Sequence, residues 1–421
     1  MLKHLKLITV ILSLLVTSLL SAQVPSQKVS DNPSVAAANL RPYFYDGETG
    51  DSYALKGYKP FYISHFGRHG SRYLSNPKYL QPALDVFVAA EAEGLLTQQG
   101  EALLDAMRAI TDAHEGMYGE LAPLGAKEHR AVASRMYKRE KKVFSQKDKN
   151  SVRCVSSVYT RCIVSMANFT EQLSSHAPGL DVTYLVGKRL NDEYLNVHSK
   201  VNIKPEAAKI LDSLKRESLH PETFMSLYFS DVNKTKSLVS DLYEFEMGIF
   251  FYWAVSYDLD FLGLDMLSLV PLALIEECGH IESAHVFATA GVSEEFGEHV
   301  AIGGKSILND IVTKADEALE SNSDIVADLR FAHDSGLLPT CQLLGIEGFP
   351  TYTIREAHEN WNMAEVVPMC ANLQMVFYKN KAGDVLVRIM LNEEPAIIPD
   401  LPSVKGIYYH WSDIRNRIMK L

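Results

Sequence analysis

A buried strand that runs directly into a basic, glycine-flanked turn is the feature that most constrains this chain. Residues 61–66 form a short, largely apolar run that ends at Gly67, a pattern typical of a strand covered on both faces. Residues 68–72 follow at once and carry one histidine between two arginines. Open α/β sheets bind their ligands at the carboxyl ends of strands. The sequence therefore predicts an α/β fold with residues 68–72 at its ligand-binding edge.

The residue types in this turn suit a tetrahedral oxyanion. Arg68 and Arg72 flank His69, and Gly67 and Gly70 let the backbone bend sharply around it. A guanidinium presents paired N–H donors that match phosphate oxygens. A neutral imidazole between two such groups would face the phosphorus atom. A solvated basic turn is the alternative, but the preceding strand and the second arginine favour a phosphate site.

A second strand end carries another candidate pair. Residues 328–332 predict a short strand, and His333 and Asp334 follow it. The apolar spacing of residues 337–344 then indicates a helix that stops at Gly345. The positive end of that helix would point at the same place as the first motif, which favours anion binding there.

A third arginine is expected near the same edge. Apolar residues at positions 162, 163, 166, 167 and 169 mark one face of a helix, so Arg161 falls in its first turn. A cation is unfavourable beside the positive end of a helix dipole, which suggests that an anion normally sits there. Arg153 is the alternative candidate for this third anion-binding arginine, and Arg161 is favoured.

These elements resemble the histidine acid phosphatases, the clade-2 branch of the histidine phosphatase superfamily. That family has the signature R-H-G-x-R-x-P and a distant His-Asp pair. Arg68, His69 and Arg72 match the first motif, residues 333–334 match the second, and Leu74 stands where the family usually has proline. The departure affects the shape of the turn more than its chemistry.

The resemblance leaves the subfamily open. Residues 119–125 look like the family's L-T-x-x-G element, with Ala122 in place of threonine. The Arg-Cys pattern at 161–162 is most similar to the multiple inositol-polyphosphate phosphatases. Those enzymes usually have His-Ala-Glu where this chain has His-Asp-Ser at 333–335, a version commoner in phytases and general acid phosphatases. Neither branch therefore fixes the substrate.

The resemblance implies a phosphomonoesterase that needs no metal or cofactor. His69 would attack phosphorus to form a phosphohistidine, and Asp334 would protonate the leaving alkoxide and then activate water. The residues expected to bind the phosphate oxygens are Arg68, Arg72, Arg161 and His333. Because the donor must be protonated, an acidic optimum is expected unless the site raises its pKa.

Several functions stay open at this point. The substrate could be an inositol polyphosphate such as phytate, a sugar phosphate or a broad set of esters. A binder of phosphate or inositol phosphate that has lost turnover is an alternative from another class, although every chemical position is filled. A phosphate-transferring mutase is a further alternative, disfavoured by the apparent export signal and the His-Asp pair.

The start of the chain predicts export. Lys3 and Lys6 precede the apolar residues 7–20, and Ala22 offers a small residue for cleavage. Residues 1–22 are therefore interpreted as a signal peptide of a periplasmic or secreted protein without a stable membrane anchor. The formal net charge of −11 argues against nucleic-acid binding. A small phosphomonoester is the expected partner, and the oligomeric state stays open.

The expected architecture is α/β, with a mixed central sheet flanked by helices and an inserted, mainly α-helical lobe over the active site. A flexible lead-in at 23–40 precedes the α/β domain, formed by 41–190 and 325–421, and the lobe spans 191–324. Residues 373–378 and 385–390 predict a hairpin.

Two further features concern lysines and cysteines. The run 138–149 holds five lysines and one arginine, and an exposed loop is favoured over a substrate rim. The five cysteines show no metal-ligand spacing, so no structural metal is predicted. They could form disulfides in an exported chain or be small buried residues.

Overall fold

A single mixed sheet organises the α/β part of the protein. The structure, a computed structural model, describes residues 25–45, 47, 55–196 and 203–421. The predicted signal peptide, residues 1–22, lies outside the described residues. The strands are β1 (Tyr58–Arg68), β2 (Ser151–Ser156), β3 (Asp181–Val186), β4 (Ile325–Ala332), β5 (Asn372–Asn380), β6 (Val385–Leu391), β7 (Glu394–Pro395) and β8 (Tyr408–His410).

The helices fall before, between and after these strands. In chain order they are α1 (Gln27–Asp31), α2 (Gln81–Ala92), α3 (Gln98–His114), α4 (Pro123–Arg139), α5 (Lys141–Phe144), α6 (Thr160–His176), α7 (Lys188–Leu190), α8 (Pro205–Ser218), α9 (Pro221–Tyr228), α10 (Val232–Lys236), α11 (Leu242–Asp258), α12 (Leu272–Ala290), α13 (Gly297–Leu319), α14 (Asp334–Leu344), α15 (Ile354–Asn360), α16 (Met363–Val366) and α17 (Trp411–Ile418). Short 3₁₀ turns lie at Pro33–Ala36, Ala38–Leu40, Pro77–Tyr79, Asp260–Leu262 and Met266–Ser268, and a π turn at Asn191–Leu195.

Strand order brings three predicted motifs to one edge. The order is β3-β2-β4-β1-β5-β6-β7, with β8 paired to β6. Strands β3, β2, β4 and β1 are parallel neighbours, whereas β5 and β6 run antiparallel to their neighbours. Because parallel strands end at the same edge, the turns after β1, β2 and β4 meet there. The predicted mixed α/β sheet and the 373–390 hairpin are confirmed.

Burial explains why the central strands form. In β1 every residue from Tyr62 to Arg68 is buried, and in β4 every residue from Val326 to Ala332 is buried. Strands of this kind are buried on both faces because helices cover both sides of the sheet. One face packs against α4 and α6, and the other against α13, α14 and α17, which gives a three-layer arrangement.

The helical part has its own apolar core. Helices α11 and α12 are buried on nearly all sides, as expected for helices inside a bundle. Helices α8 and α9 pack with them, and so do α2 and α3, which precede the predicted insertion. The proposed division at 191–324 stays a prediction, but the described core of the lobe also draws on residues 80–110.

The segment predicted as a flexible lead-in is partly ordered structure. Residues 25–40 form α1 and two 3₁₀ turns, and Ala37, Ala38 and Leu40 are fully or almost fully buried. Gly279 of α12 explains the fit, since a Cβ there would lie 2.2 Å from the carbonyl oxygen of Ala36. The flexible interpretation is wrong for residues 25–40 because apolar contacts hold them against the lobe.

Candidate active site

The turn after β1 is held by backbone bonds on both sides. The Arg68 amide donates to the Ala371 carbonyl at 2.8 Å, and the His69 amide donates to the Ala332 carbonyl at 3.0 Å. Gly70 lies against the first turn of α4, where an added Cβ would be 2.6 Å from the Cα of Gly125. Any larger residue would push the turn away, so the backbone geometry of the motif requires glycine at this position.

His69 is a buried, neutral imidazole with one nitrogen left for chemistry. Its Nδ1 lies 3.0 Å from the Gly70 carbonyl, which fixes Nδ1 as the donor and leaves the lone pair on Nε2. Burial lowers the pKa of His69 well below its usual value, and Arg161 and Arg68 lower it further. The ring is therefore uncharged at neutral pH and can act as a nucleophile.

The guanidinium of Arg68, predicted to bind phosphate, bonds to oxygens of the protein itself. Its side chain is 0% exposed, and it donates to the carbonyls of Val367 at 2.9 Å and Asn39 at 2.7 Å. Its Nη2 also lies 2.9 Å from Oδ2 of Asp334. The guanidinium thus supplies a fixed positive charge beside His69, but most of its N–H donors already bond to protein oxygens.

Arg72 and Arg161 complete a cluster of three guanidinium groups with Arg68. Burial lowers the pKa of Arg72 to about 10, and the charges of Arg161 and Arg68 contribute in the same direction. Arg161 donates from Nη1 to the Gly119 carbonyl at 3.3 Å and stacks 4.7 Å from the centre of the Tyr159 ring. Mutual repulsion within this three-arginine cluster favours a bound anion.

His333 joins this cluster to the end of β2. The Ser157 hydroxyl donates to Oδ1 of Asn191 at 2.7 Å, so its oxygen can accept from Nε2 of His333 at 3.0 Å. Nδ1 of His333 lies 3.5 Å from Nη2 of Arg161. The rings of His333 and His69 are 5.6 Å apart between centroids. The structure therefore brings both predicted histidines to one place.

Asp334 begins α14 and is held as a carboxylate. Its Oδ1 accepts the Ser335 amide at 2.8 Å, and its Oδ2 pairs with Arg68. Burial acts to raise the pKa of Asp334, but Arg68, His333 and Arg72 outweigh it and hold the pKa below its usual value. A bound phosphate would add negative charge nearby and oppose this effect, which favours protonation in the complex.

The rival arginine lies elsewhere. Arg153 on β2 donates from both Nε and Nη2 to Asp328 at 2.7 Å, and it also pairs with Glu317. Asp328 further accepts the Tyr62 hydroxyl at 2.7 Å. Arg153 is thus part of an ion-pair network within the fold, and Arg161 is the arginine that reaches His333.

Two buried carboxyl groups behind the turn were not assigned a role from the sequence. Glu128 of α4 accepts the Ser71 amide at 2.7 Å and hydroxyl at 2.9 Å, and the Tyr43 amide at 2.8 Å. Burial raises the pKa of Glu128 to about 7, although these hydrogen bonds act to lower it. Its position three residues after the 119–125 element was the only signal that the sequence offered.

Asp258, at the end of α11, faces the same region from the helical lobe. It is fully buried, and its carboxyl group lies beside the Ser71 hydroxyl of the turn. Burial raises the pKa of Asp258 well above its usual value and Glu128 adds to this, although the Ser71 hydroxyl and the charges of Arg72 and Arg68 act to lower it. No local sequence pattern distinguishes this aspartate from one that ends an exposed helix.

Glu282 of α12 lies on the lobe side of the site. Glu282 is 8% exposed, and it lines a cavity of about 230 Å³ together with Lys215, His285 and Phe251. Burial raises the pKa of Glu282 to about 8, Lys215 and Arg72 oppose this, and Asp334 adds to it. The charges of Arg72 and Asp334 thus act on Glu282, but none of the proposed catalytic residues lines this cavity.

Three further expectations concern metal ligands, membrane-spanning helices and cysteines in the described residues. Across the described ranges, no group of three or more metal-ligating side chains comes together. No helix in the part of the chain that the structure describes is long and apolar enough to cross a membrane. All five cysteines are buried free thiols, so the interpretation as small buried residues is confirmed.

Comparison with known proteins identifies the fold. No family model matches the sequence, and no match among curated proteins was found. A Bifidobacterium longum multiple inositol polyphosphate phosphatase, solved with inositol hexasulfate, is 20% identical with a TM-score of 0.73, covering 91% of this chain and 97% of its own. A phytase from D. castellii is 14% identical with a TM-score of 0.67, covering 92% and 85%. Hafnia alvei phytase is 13% identical with a TM-score of 0.53, covering 87% and 98%.

These likenesses define a class of fold. The chain has the architecture of the histidine acid phosphatases, an α/β sheet with a helical lobe. The resemblance inferred from the motifs is therefore confirmed at the level of the fold. Within that class, the multiple inositol polyphosphate phosphatase gives a higher TM-score than either phytase reported above.

Proposed function

We propose that this protein is a metal-independent phosphomonoesterase that works through a phosphohistidine. The observation that carries the proposal is the neutral His69, with Nε2 unprotonated beside the three-arginine cluster. This arrangement combines a nucleophile with preorganised positive charge, which is what transfer of a phosphoryl group requires. The fold shared with phosphatases supports the same reaction.

The reaction has two balanced steps. Nε2 of His69 forms a bond to phosphorus as the ester P–O bond breaks, and Asp334 gives its proton to the leaving alkoxide. Water then attacks the phosphohistidine, Asp334 takes a proton from it, and the P–N bond breaks to release inorganic phosphate. Arg72, Arg161 and His333 bind the non-bridging oxygens, and Arg68 acts through its charge and its pair with Asp334.

The proposed substrates are inositol polyphosphates such as phytate. Support comes from the fold shared with inositol polyphosphate phosphatases and phytases and from the three-arginine cluster, whose positive charge suits a highly anionic ester. Sugar phosphates or a broad set of esters are the alternative substrates. The apolar segment 7–20 supports a role outside the cytoplasm.

The central experiment is a rapid acid-quench assay with a labelled ester. Wild type should release phosphate and yield an acid-labile phosphoenzyme, whereas His69→Ala should give neither. Labelling that persists in His69→Ala would remove His69 as the nucleophile. Ligand binding without phosphate release by the wild type would instead support the binding-protein alternative.

Substrate class needs a separate measurement. Initial rates of phosphate release should be compared for phytate, glucose 1-phosphate and an aryl phosphate. The proposal expects the highest kcat/KM with phytate. A clear preference for glucose 1-phosphate, or equal values for all three, would replace it with one of the alternative substrate ranges.

A further inference from the structure

A cleft at the far end of the sheet concentrates positive charge on an acidic protein. Its volume is about 880 Å³, and one glutamate, Glu320, lies in its wall. The lysines that line it are Lys59, Lys142, Lys149, Lys379 and Lys381. The formal net charge of the whole chain is −11, so this local excess of cations is not a consequence of overall composition. We refer to it as the five-lysine cleft.

The five lysines are not held in direct ion pairs within the described residues. Among the described residues, none of them makes an ion pair or a side-chain hydrogen bond. Other lysines do find acidic partners: Lys28, Lys127, Lys215, Lys234, Lys236 and Lys314. Other lysines without such partners, Lys209 and Lys420 among them, lie outside the cleft, so what distinguishes these five is that they share one concave surface.

Strand register places two of these charges against each other. Lys59 on β1 and Lys379 on β5 are directly opposite in the antiparallel pair. Like charges at such positions are destabilising. Lys149 approaches from the chain after α5, and its pKa is lowered by burial and by the charge of Lys379, while Asp324 opposes this. An anion in the cleft would relieve this repulsion.

The cleft is separate from the catalytic residues. Lys59 stands near the start of β1 and Arg68 at its end. At about 3.3 Å per residue, the nine intervening steps correspond to roughly 30 Å. One small substrate therefore cannot contact both places at once. The sequence run 138–149, considered as a possible substrate rim, contributes Lys142 and Lys149 to this distant cleft instead.

We propose that the five-lysine cleft is a second, non-catalytic binding site for a compact, multiply phosphorylated small molecule. Lysine ammonium groups bind phosphate as point charges. The volume falls within the range of small-molecule sites, about 300–1,000 Å³. Pro60, Phe61 and Leu319 supply apolar wall, which suits a ligand with a carbon skeleton between its phosphates. A concave site of this size favours such a ligand over a flat membrane surface.

The test is isothermal titration of the full chain with inositol hexasulfate, a polyanion with sulfate esters in place of phosphates. Wild type should bind two equivalents. The double substitution Lys149→Gln and Lys379→Gln should weaken one binding event by about tenfold or more, because two of five cations are removed. Phosphate release from an aryl phosphate should change less than about twofold, since neither lysine is near the proposed catalytic residues.

Matched controls separate the outcomes. Lys209→Gln with Lys420→Gln removes two exposed lysines outside the cleft and should leave both binding events intact. Arg161→Ala should remove binding at the proposed catalytic site and leave binding in the cleft. The two sites can therefore be tested independently of each other. The cleft variant should also unfold at an equal or higher temperature, because it loses a repulsive pair.

Three results would contradict a binding site for a phosphorylated small molecule in the five-lysine cleft. A single binding event in wild type, unchanged by the Lys149 and Lys379 substitutions, would overturn the proposal. Equal weakening by the control pair would mean a general charge effect and would also overturn it. Tight binding of a single-stranded oligonucleotide or anionic vesicles through the same lysines, without binding of inositol hexasulfate, would assign the cleft to another partner.

Discussion

Arg68 at the end of β1 and Asp334 at the start of α14 form an ion pair of 2.9 Å. The pair joins the two halves of the proposed catalytic apparatus, which are more than 260 residues apart in sequence. It also fixes the orientation of the Asp334 carboxyl group, whose other oxygen accepts the Ser335 amide. The arginine thus positions the proposed proton donor as well as contributing charge near phosphorus.

Asp334→Asn is expected to slow alkyl phosphates far more than aryl phosphates. An aryl leaving group hardly needs a proton, whereas general acid assistance is worth about 10²–10⁴-fold for a poor leaving group. Steady-state kcat values for the two ester types would measure the difference. Equal and small losses on both would show that Asp334 only caps α14, a role that asparagine can fill.

Arg161→Ala should mainly reduce activity, whereas Arg153→Ala should mainly reduce stability. Arg161→Ala should lower kcat/KM by about 10²–10³-fold, the usual cost of one donor to a developing oxyanion, with little change in stability. Arg153→Ala should keep most activity but lower the free energy of unfolding by about 1–3 kcal/mol, because Asp328 loses its charged partner. Activity loss in Arg153→Ala at unchanged stability would reverse the assignment.

Glu128→Gln should weaken catalysis through the turn it supports. Ser71 donates to both carboxyl oxygens of Glu128, and glutamine keeps only one acceptor oxygen, so at least one of these bonds is lost and the His69 loop should be held less firmly. The folded pKa of Glu128, about 7, lies above its ordinary value. The cost of keeping it protonated therefore grows as pH rises from about 4.5 to 7.

Urea unfolding of Glu128→Gln across that pH range provides the readout. The variant should lose the part of the pH dependence that comes from Glu128, and kcat should fall more than KM rises. A Glu128→Gln protein with wild-type kcat and an unchanged pH dependence of stability would show that Glu128 does not position the turn.

Asp258→Asn is expected to stabilise the protein at alkaline pH. The folded pKa of Asp258 is raised well above its ordinary value because the carboxyl group is buried. The unfolded chain therefore releases this proton first, and the folded state is penalised increasingly as pH rises above about 4. At pH 8 the substitution should raise the free energy of unfolding by at least about 1 kcal/mol.

Near pH 4 the effect of Asp258→Asn should largely disappear, because both states then hold the proton. Urea titrations at the two pH values give this comparison directly. Destabilisation at pH 8 would instead mean that the charged carboxylate has a favourable partner in solution, most simply Arg72.

Much of the fold could be predicted from local patterns. The spacing of apolar residues identified the strand before Arg68, the strand before His333, the first turn of α6 and the hairpin of β5 and β6. Gly345 ends α14 in a left-handed conformation with φ of 74°, the position where glycine is most favoured. These features depend on neighbours in sequence, so periodicity and turn chemistry are sufficient to find them.

Some local patterns gave incomplete answers. The polar segment 25–40 suggested flexibility, yet it packs on α12 through contacts with residues more than 200 positions away. The lobe core likewise uses α2 and α3, which precede the block that looked helical in sequence. Composition reports the polarity of a segment, whereas burial depends on which distant surface is complementary to it.

The sequence by itself determined which residues could carry the chemistry: His69 and Asp334 at two strand ends, with arginines close to them. Only the tertiary structure decided that Arg161 and not Arg153 reaches His333. It also decided that Arg68 pairs with Asp334. The reason is that a residue type fixes possible bonds, while the partner that satisfies them is set by the packing of distant segments.

The same division holds for charge. The sequence showed where carboxyl groups and lysines occur, but gave no sign that Glu128 and Asp258 are buried beside the turn, that Glu282 is buried in the lobe, or that Lys59 opposes Lys379 across two strands. A pKa depends on desolvation and on charges brought near by folding. Those quantities exist only once the sheet and the helical lobe have assembled.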